Sequence, residues 1–202
     1  MEFQALFKAL QQHKIYVFSF EDALLFFPQE KRQNLKRMVL RWKEQGRLLA
    51  LRRGLYELTY PDDFHIPDFF IANCLYGPSY ISLETALSNY SIIPEVSMSV
   101  SSITAKPTRR FRNKHGFFIY HSVNPSAYTG YLIQRQAGFD IRIAEPEKAL
   151  IDYLYFKTYR GKKIDFEQER LDRGVIKRLN RKKLTQYAKP YGLRLKELYA
   201  YL

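Results

Sequence analysis

The chain has 202 residues, 46% of them hydrophobic, enough for one large domain or two small ones with a packed core. Lysine and arginine number 33 against 20 acidic residues, a formal charge of +13 that exceeds what solubility requires and points to a polyanion as partner. No stretch approaches the roughly 18 consecutive apolar residues of a membrane span, "MEFQALFKALQQHK" has no signal-peptide core, and a single cysteine, Cys74, rules out an internal disulfide or a cysteine-rich zinc site. These features predict a cytoplasmic protein with no membrane partner and no cofactor.

In chain order, Phe3, Leu6, Phe7 and Leu10 recur at three- and four-residue spacing and predict an amphipathic helix. Ser19 can cap a second helix, with Glu21 and Asp22 in its positive first turn and Pro28 at its end. The third helix carries Leu35, Met38, Val39 and Trp42 on one stripe and closes at Gly46. "LLAL" and "LYEL" then read as two strands around "RRG", where Gly54 supplies the unusual backbone angles of a tight turn. Three helices and a hairpin predict a winged helix-turn-helix over residues 1–60. In that architecture the third helix enters the major groove and the hairpin, the wing, lies along the backbone or in the minor groove.

The segment "YPDDFHIP", residues 60–67, reads as the domain junction. Beyond it, a domain over 68–202 is predicted to mix helices and strands. "IPDFFIANCLY" reads as a helix, and "LETALSNY" as another capped by Ser82. Residues 96–104 and 117–123 read as strands, 130–144 as a hairpin or strand pair, and "EKALIDYLYFK" as a helix opened by Pro146. The tail after Gly161 reads as helical and basic, with Asn180 as a cap and Gly192 as a break. The predicted class is α+β, an N-terminal winged helix-turn-helix followed by a mixed α/β domain.

The charge is clustered. Residues 30–54 hold nine basic side chains against two acidic ones, residues 106–115 hold five and none, and residues 160–196 hold thirteen against four. At 100° per residue, with the apolar stripe facing the core, Gln33, Lys36, Arg37 and Arg41 point outward and Asn34 lies at the flank. These are side chains suited to base edges, since arginine pairs bidentately with guanine and asparagine or glutamine with adenine. Arg52 and Arg53 at the hairpin tip suit phosphate or a narrow minor groove.

Four ordered blocks carry a family resemblance: "GRLLALRRGLYEL", "PSYISLETALSNYSIIPE", "SITAKPTRRFR" with "GFFIYH", and "AEPEKALIDYLY". Over residues 15 to 160 the chain resembles the AbiEi-type antitoxins of type IV toxin-antitoxin and abortive-infection systems. The resemblance implies a C-terminal antitoxin domain, repression of the chain's own operon through promoter inverted repeats, and opposition to a nucleotidyltransferase-like toxin that need not bind it stably. It also implies a monomer in solution that is cooperative on DNA, with Lys106, Arg109, Arg110 and Arg112 contributing to DNA binding. Ser91 departs from the glycine frequent in the family after the "LETALS" helix, and the tail is more basic than the family's.

No catalytic signature stands out. His13, His65, His115 and His121 lack metal-ligand spacing, there is no glycine-rich phosphate loop, and the glutamates of "EPEK" read as first-turn residues complementing a helix dipole, with Lys148 and Asp152 paired at i and i+4. The expectation is therefore a non-enzyme with no metal site. Most of the sixteen tyrosines and fifteen phenylalanines fall at core positions, with Tyr120 and Tyr128 left open. Two alternatives stand beside the repressor: an antitoxin that masks its toxin by direct contact, and a stand-alone winged-helix regulator.

Overall fold

The computed structural model describes residues 2–59, 65–95, 97–161 and 163–202, in two units, Met1–Pro67 and Asp68–Leu202. Residues 60–64 of the expected junction lie outside the described residues. The first unit runs α1 (Phe3–Gln12), β1 (Val17–Ser19), α2 (Phe20–Phe26), α3 (Arg32–Glu44), β2 (Leu48–Arg52) and β3 (Leu55–Leu58).

Local chemistry sets these boundaries. The Ser19 hydroxyl accepts from the Asp22 amide at 3.1 Å while the Asp22 carboxylate accepts from the Ser19 amide at 2.6 Å, a reciprocal cap that starts α2. α3 ends where Gly46 takes φ +70°, so that the Gly46 amide reaches the Lys43 carbonyl and the Arg47 amide that of Trp42. α1 ends in the same way, but with Lys14 in the left-handed position. Leu35, Val39 and Trp42 turn inward to meet Leu6, Leu10, Phe18, Phe20, Ala23, Leu48 and Leu58 in one core, with the Phe3 ring edge-on to Trp42 at 5.5 Å. β1 was not expected, because three residues are too few to reveal alternation. It pairs antiparallel with β3 and gives a sheet of order β1-β3-β2.

The second unit comprises α4 (Asp68–Leu75), β4 (Tyr80–Ile81), α5 (Leu83–Asn89), β5 (Val100–Thr104), β6 (Arg109–Asn113), β7 (Gly116–Ser122), β8 (Tyr131–Gln136), β9 (Phe139–Ala144), α6 (Pro146–Thr158), α7 (Arg173–Lys177), α8 (Arg181–Ala188) and α9 (Lys196–Tyr201). Its six-stranded mixed sheet has the order β6-β7-β5-β4-β9-β8. Tyr120 on β7 donates to the Ala72 carbonyl of α4, whereas Tyr80 on β4 donates to Asp152 of α6. In register, Tyr80 lies opposite Ile103 and Ile103 beside His121, the neighbour of Tyr120, so α4 and α6 cover opposite faces. The chain is mixed α+β.

Several local expectations are corrected. Ser82 occupies the cap position of α5 but makes no side-chain cap bond, its hydroxyl donating instead to Asp152 at 2.8 Å. The strand expected over 96–104 begins only at Val100, with Ser97 turned onto the Ser99 carbonyl and Val96 outside the described residues. The "RRFRN" segment is itself the edge strand β6, which charge patterning alone hid. Cys74, read from its residue type as a buried small apolar side chain, is half-buried. Tyr120 is a core residue, and Tyr128 packs against the rings of Tyr80 and Tyr131. Ser91 sits at φ +55°, the conformation that glycine tolerates best, with the Ile92 amide on the Leu87 carbonyl.

Candidate nucleic-acid interface

The side of α3 turned away from the core is polar and open. Gln33, Asn34, Lys36, Arg37 and Arg41 are all exposed, while Leu35, Val39 and Trp42 on the other side are buried. Arg37 donates to the Asn34 side-chain oxygen at 3.1 Å. Leu40 stands among them, 56% exposed. Its apolar character hides it from a reading by charge, although the same 100° rotation places it outward. Arg41 sits at the margin, in a depression shared with Phe3, Trp42 and Arg47. Guanidinium forks, a carboxamide pair and one apolar side chain on a convex helix are the groups that base edges and a thymine methyl accept.

The hairpin tip is held to the same end of the unit. β2 and β3 close through Arg53 and Gly54, with Gly54 at φ +78° and Arg52 opposite Leu55. Arg52 and Arg53 are exposed, and the Arg52 guanidinium donates to the Arg53 carbonyl at 3.1 Å. The Phe20 amide donates to the Gly54 carbonyl at 3.0 Å, and the ring of the same Phe20 lies 5.2 Å beneath the guanidinium of Arg32, the first residue of α3. Arg32 is also ion-paired with Glu21 at 2.6 Å. One residue, Phe20, therefore brings the start of α3 and the arginine tip together.

The basic residues of the second unit are less uniform. On β6, strand alternation sets Arg110 and Arg112 on one face and Arg109 on the other, with Phe111. Lys106 donates to the Gly77 carbonyl at 2.5 Å and lies over the Tyr76 ring, so its ammonium is already engaged. The four residues expected to act together thus fall on two faces of one strand and a tethered turn. Part of the tail's charge is engaged internally: Lys183 pairs with Glu145 at 2.8 Å, Arg170 with Glu95 at 2.8 Å and Arg173 with Glu167, while Arg181 lies over Tyr199.

The most enclosed polar cluster lies at α6. Lys148 and Asp152 are fully buried and paired, and Tyr80, Ser82 and Tyr191 all donate to the Asp152 carboxylate. Burial lowers the Lys148 pKa and raises that of Tyr191. Glu145 accepts from Lys183 and Tyr187, and Glu147 from the Asn180 amide. These carboxylates fasten the tail to α6, a role beyond the dipole term expected of them. Lys148 and Asp152 are both fully buried and each has hydrogen-bond partners, so the cluster reads as structural. Among the described residues no group of three histidine, cysteine, aspartate or glutamate side chains is placed to hold a metal ion, and no helix is long and apolar enough to cross a membrane.

No protein-family model matches the chain, and no curated protein matches it.

Proposed function

We propose that the first unit is a winged helix-turn-helix that reads duplex DNA, and that the chain is a DNA-binding antitoxin which represses its own operon through promoter inverted repeats. The order helix, strand, helix, helix, hairpin supports the winged-helix reading. The observation that carries the reading is the pairing of an open polar face on α3 with a double-arginine tip, both held at Phe20. Arg37, Asn34, Gln33 and Lys36 then meet base edges, Leu40 meets a thymine methyl, and Arg52 and Arg53 meet phosphates. Arg110 and Arg112 add phosphate contacts from the second unit. The antitoxin role, directed against a nucleotidyltransferase-like toxin, rests on the resemblance in the four sequence blocks.

Binding to the duplex upstream of the gene, followed by fluorescence anisotropy, tests the DNA reading. Neutralising six to ten phosphates lowers affinity by about three to five orders of magnitude between 50 and 200 mM salt. Binding that ignores salt overturns it. For the antitoxin role, coexpression with the product of the adjoining gene is expected to relieve that product's toxicity without a copurifying complex. A stable stoichiometric complex would favour direct masking, and an adjoining gene unrelated to toxins would favour a stand-alone regulator.

A further inference from the structure

The six-stranded sheet has two edges of opposite character. β6 carries Arg109, Arg110 and Arg112 within five residues, a density of charge that discourages another strand from pairing with it. β8, at the far edge, reads Tyr-Leu-Ile-Gln-Arg-Gln. All six residues are exposed, Ile133 at its centre is 66% exposed, and the strand contains neither proline nor an acidic residue. Such an edge is a template for a further strand.

Its pairing with β9 determines which backbone groups it offers. The Glu145 amide donates to the Gly130 carbonyl at 2.9 Å, and the register sets Leu132 opposite Ile143, Gln134 opposite Ile141 and Gln136 opposite Phe139. Antiparallel partners alternate between hydrogen-bonded and non-bonded pairs. Gly130, Leu132, Gln134 and Gln136 therefore turn their amides and carbonyls toward β9, and Tyr131, Ile133 and Arg135 turn theirs outward.

We propose that this outward row pairs antiparallel with the same row of a second copy, about a two-fold axis at Ile133, joining the two sheets into one. In that register Ile133 faces Ile133 of the second copy, and Tyr131 faces Arg135, so each arginine meets an aromatic ring instead of another arginine. Parallel pairing would set Arg135 against itself, and a shifted antiparallel register would leave an end residue without a partner. This self-match selects a second copy over an unrelated strand.

Size and charge set the strength. A six-residue edge is roughly 20 Å long and about 10 Å deep, covering roughly 400 Å² in total, a third of the ~1,200 Å² at the low end of stable interfaces. Each copy also carries +13. Free copies associate weakly. Copies held side by side on a duplex reach effective concentrations near the millimolar range, with phosphates offsetting their charge. That last step rests on the DNA reading above, whereas the strand pairing does not.

Cysteine trapping in the full chain tests the proposal. Residues facing each other in a hydrogen-bonded antiparallel pair have Cα atoms about 5.5 Å apart, inside the disulfide range of about 4.4–6.8 Å. Under copper-catalysed air oxidation, Ile133→Cys is expected to form disulfide dimers at least tenfold faster than Leu132→Cys or Gln136→Cys, above the background that Cys74 gives in the parent chain. Tyr131→Cys and Arg135→Cys are expected to cross-link quickly only when mixed. Equal rates at all these positions overturn the pairing. Adding the upstream duplex is expected to accelerate Ile133→Cys dimers further. If the duplex does not bind, the selectivity measured without DNA still decides the pairing, so the two failures are distinct.

Discussion

Two helices of thirteen residues, α3 and α6, put their charges to opposite uses. α3 buries Leu35, Val39 and Trp42 and leaves its cationic side open. α6 buries eight successive residues from Glu147 to Leu154, with the Lys148–Asp152 pair in the middle. On an exposed helix such an i, i+4 pair contributes about 0.3–0.5 kcal/mol. Inside α6 the same spacing becomes a structural dependency, because losing either partner leaves the other buried without compensation. The lesson is that a charge pattern has no fixed meaning until it is known which side the core takes.

The largest effect is expected of Lys148→Met. It is expected to cost about 3–5 kcal/mol in urea unfolding followed by circular dichroism, the range for severing a buried ion pair. A loss below 1 kcal/mol would mean that the pair is solvated like the exposed Arg32–Glu21 pair. The tyrosines of the second unit give a pH counterpart. Burial pushes Tyr90, Tyr128 and Tyr187 up to about 12, and holds Tyr80, Tyr153 and Tyr191 well above their ordinary value. Phenols with raised folded-state pKa values contribute stability that is whole below pH 10 and is lost as pH rises through about 12. Thermal melts are expected to fall across that window while tyrosinate absorbance lags behind that of the unfolded chain. Coincident titrations of folded and unfolded chain would contradict it.

On α3 the effects fall on binding. Arg37→Ala is expected to cost about 1–3 kcal/mol on the preferred duplex and to relax preference at one base pair. An equal loss on every sequence would assign Arg37 to phosphate. Replacing Arg52 and Arg53 together by alanine is expected to weaken all duplexes alike and to lower the salt slope by about two. The smallest effect belongs to a helix end: Ser91→Gly relieves a left-handed serine and is expected to stabilise the chain by roughly 1 kcal/mol, read as a rise in melting temperature.

α3 was legible in the sequence because its information is local. The apolar stripe, Gly46 and the following hairpin succeed one another within residues 35–58, and Ser19 with Asp22 states the start of α2 in four residues. The start of α6 was legible for the same reason, through Pro146. Its meaning was not, since the groups that close on Asp152 come from Tyr80, Ser82 and Tyr191, far away in sequence and without any periodic signature. Sequence offers Ser82 only the nearby amides of α5, whereas the fold gives its hydroxyl the distant Asp152 carboxylate. β6 was hidden because three arginines in five residues look like a solvated segment until a neighbouring strand supplies the other half of the ladder.

The proposal that α3 and the hairpin tip form one DNA-reading surface is tested most directly by following backbone amide resonances as the upstream duplex is titrated into the full chain. The largest shifts are expected on Gln33, Asn34, Lys36, Arg37 and Leu40 together with Arg52, Arg53 and Gly54. Shifts confined to the second unit, or to α1 with α3 unmoved, would contradict it.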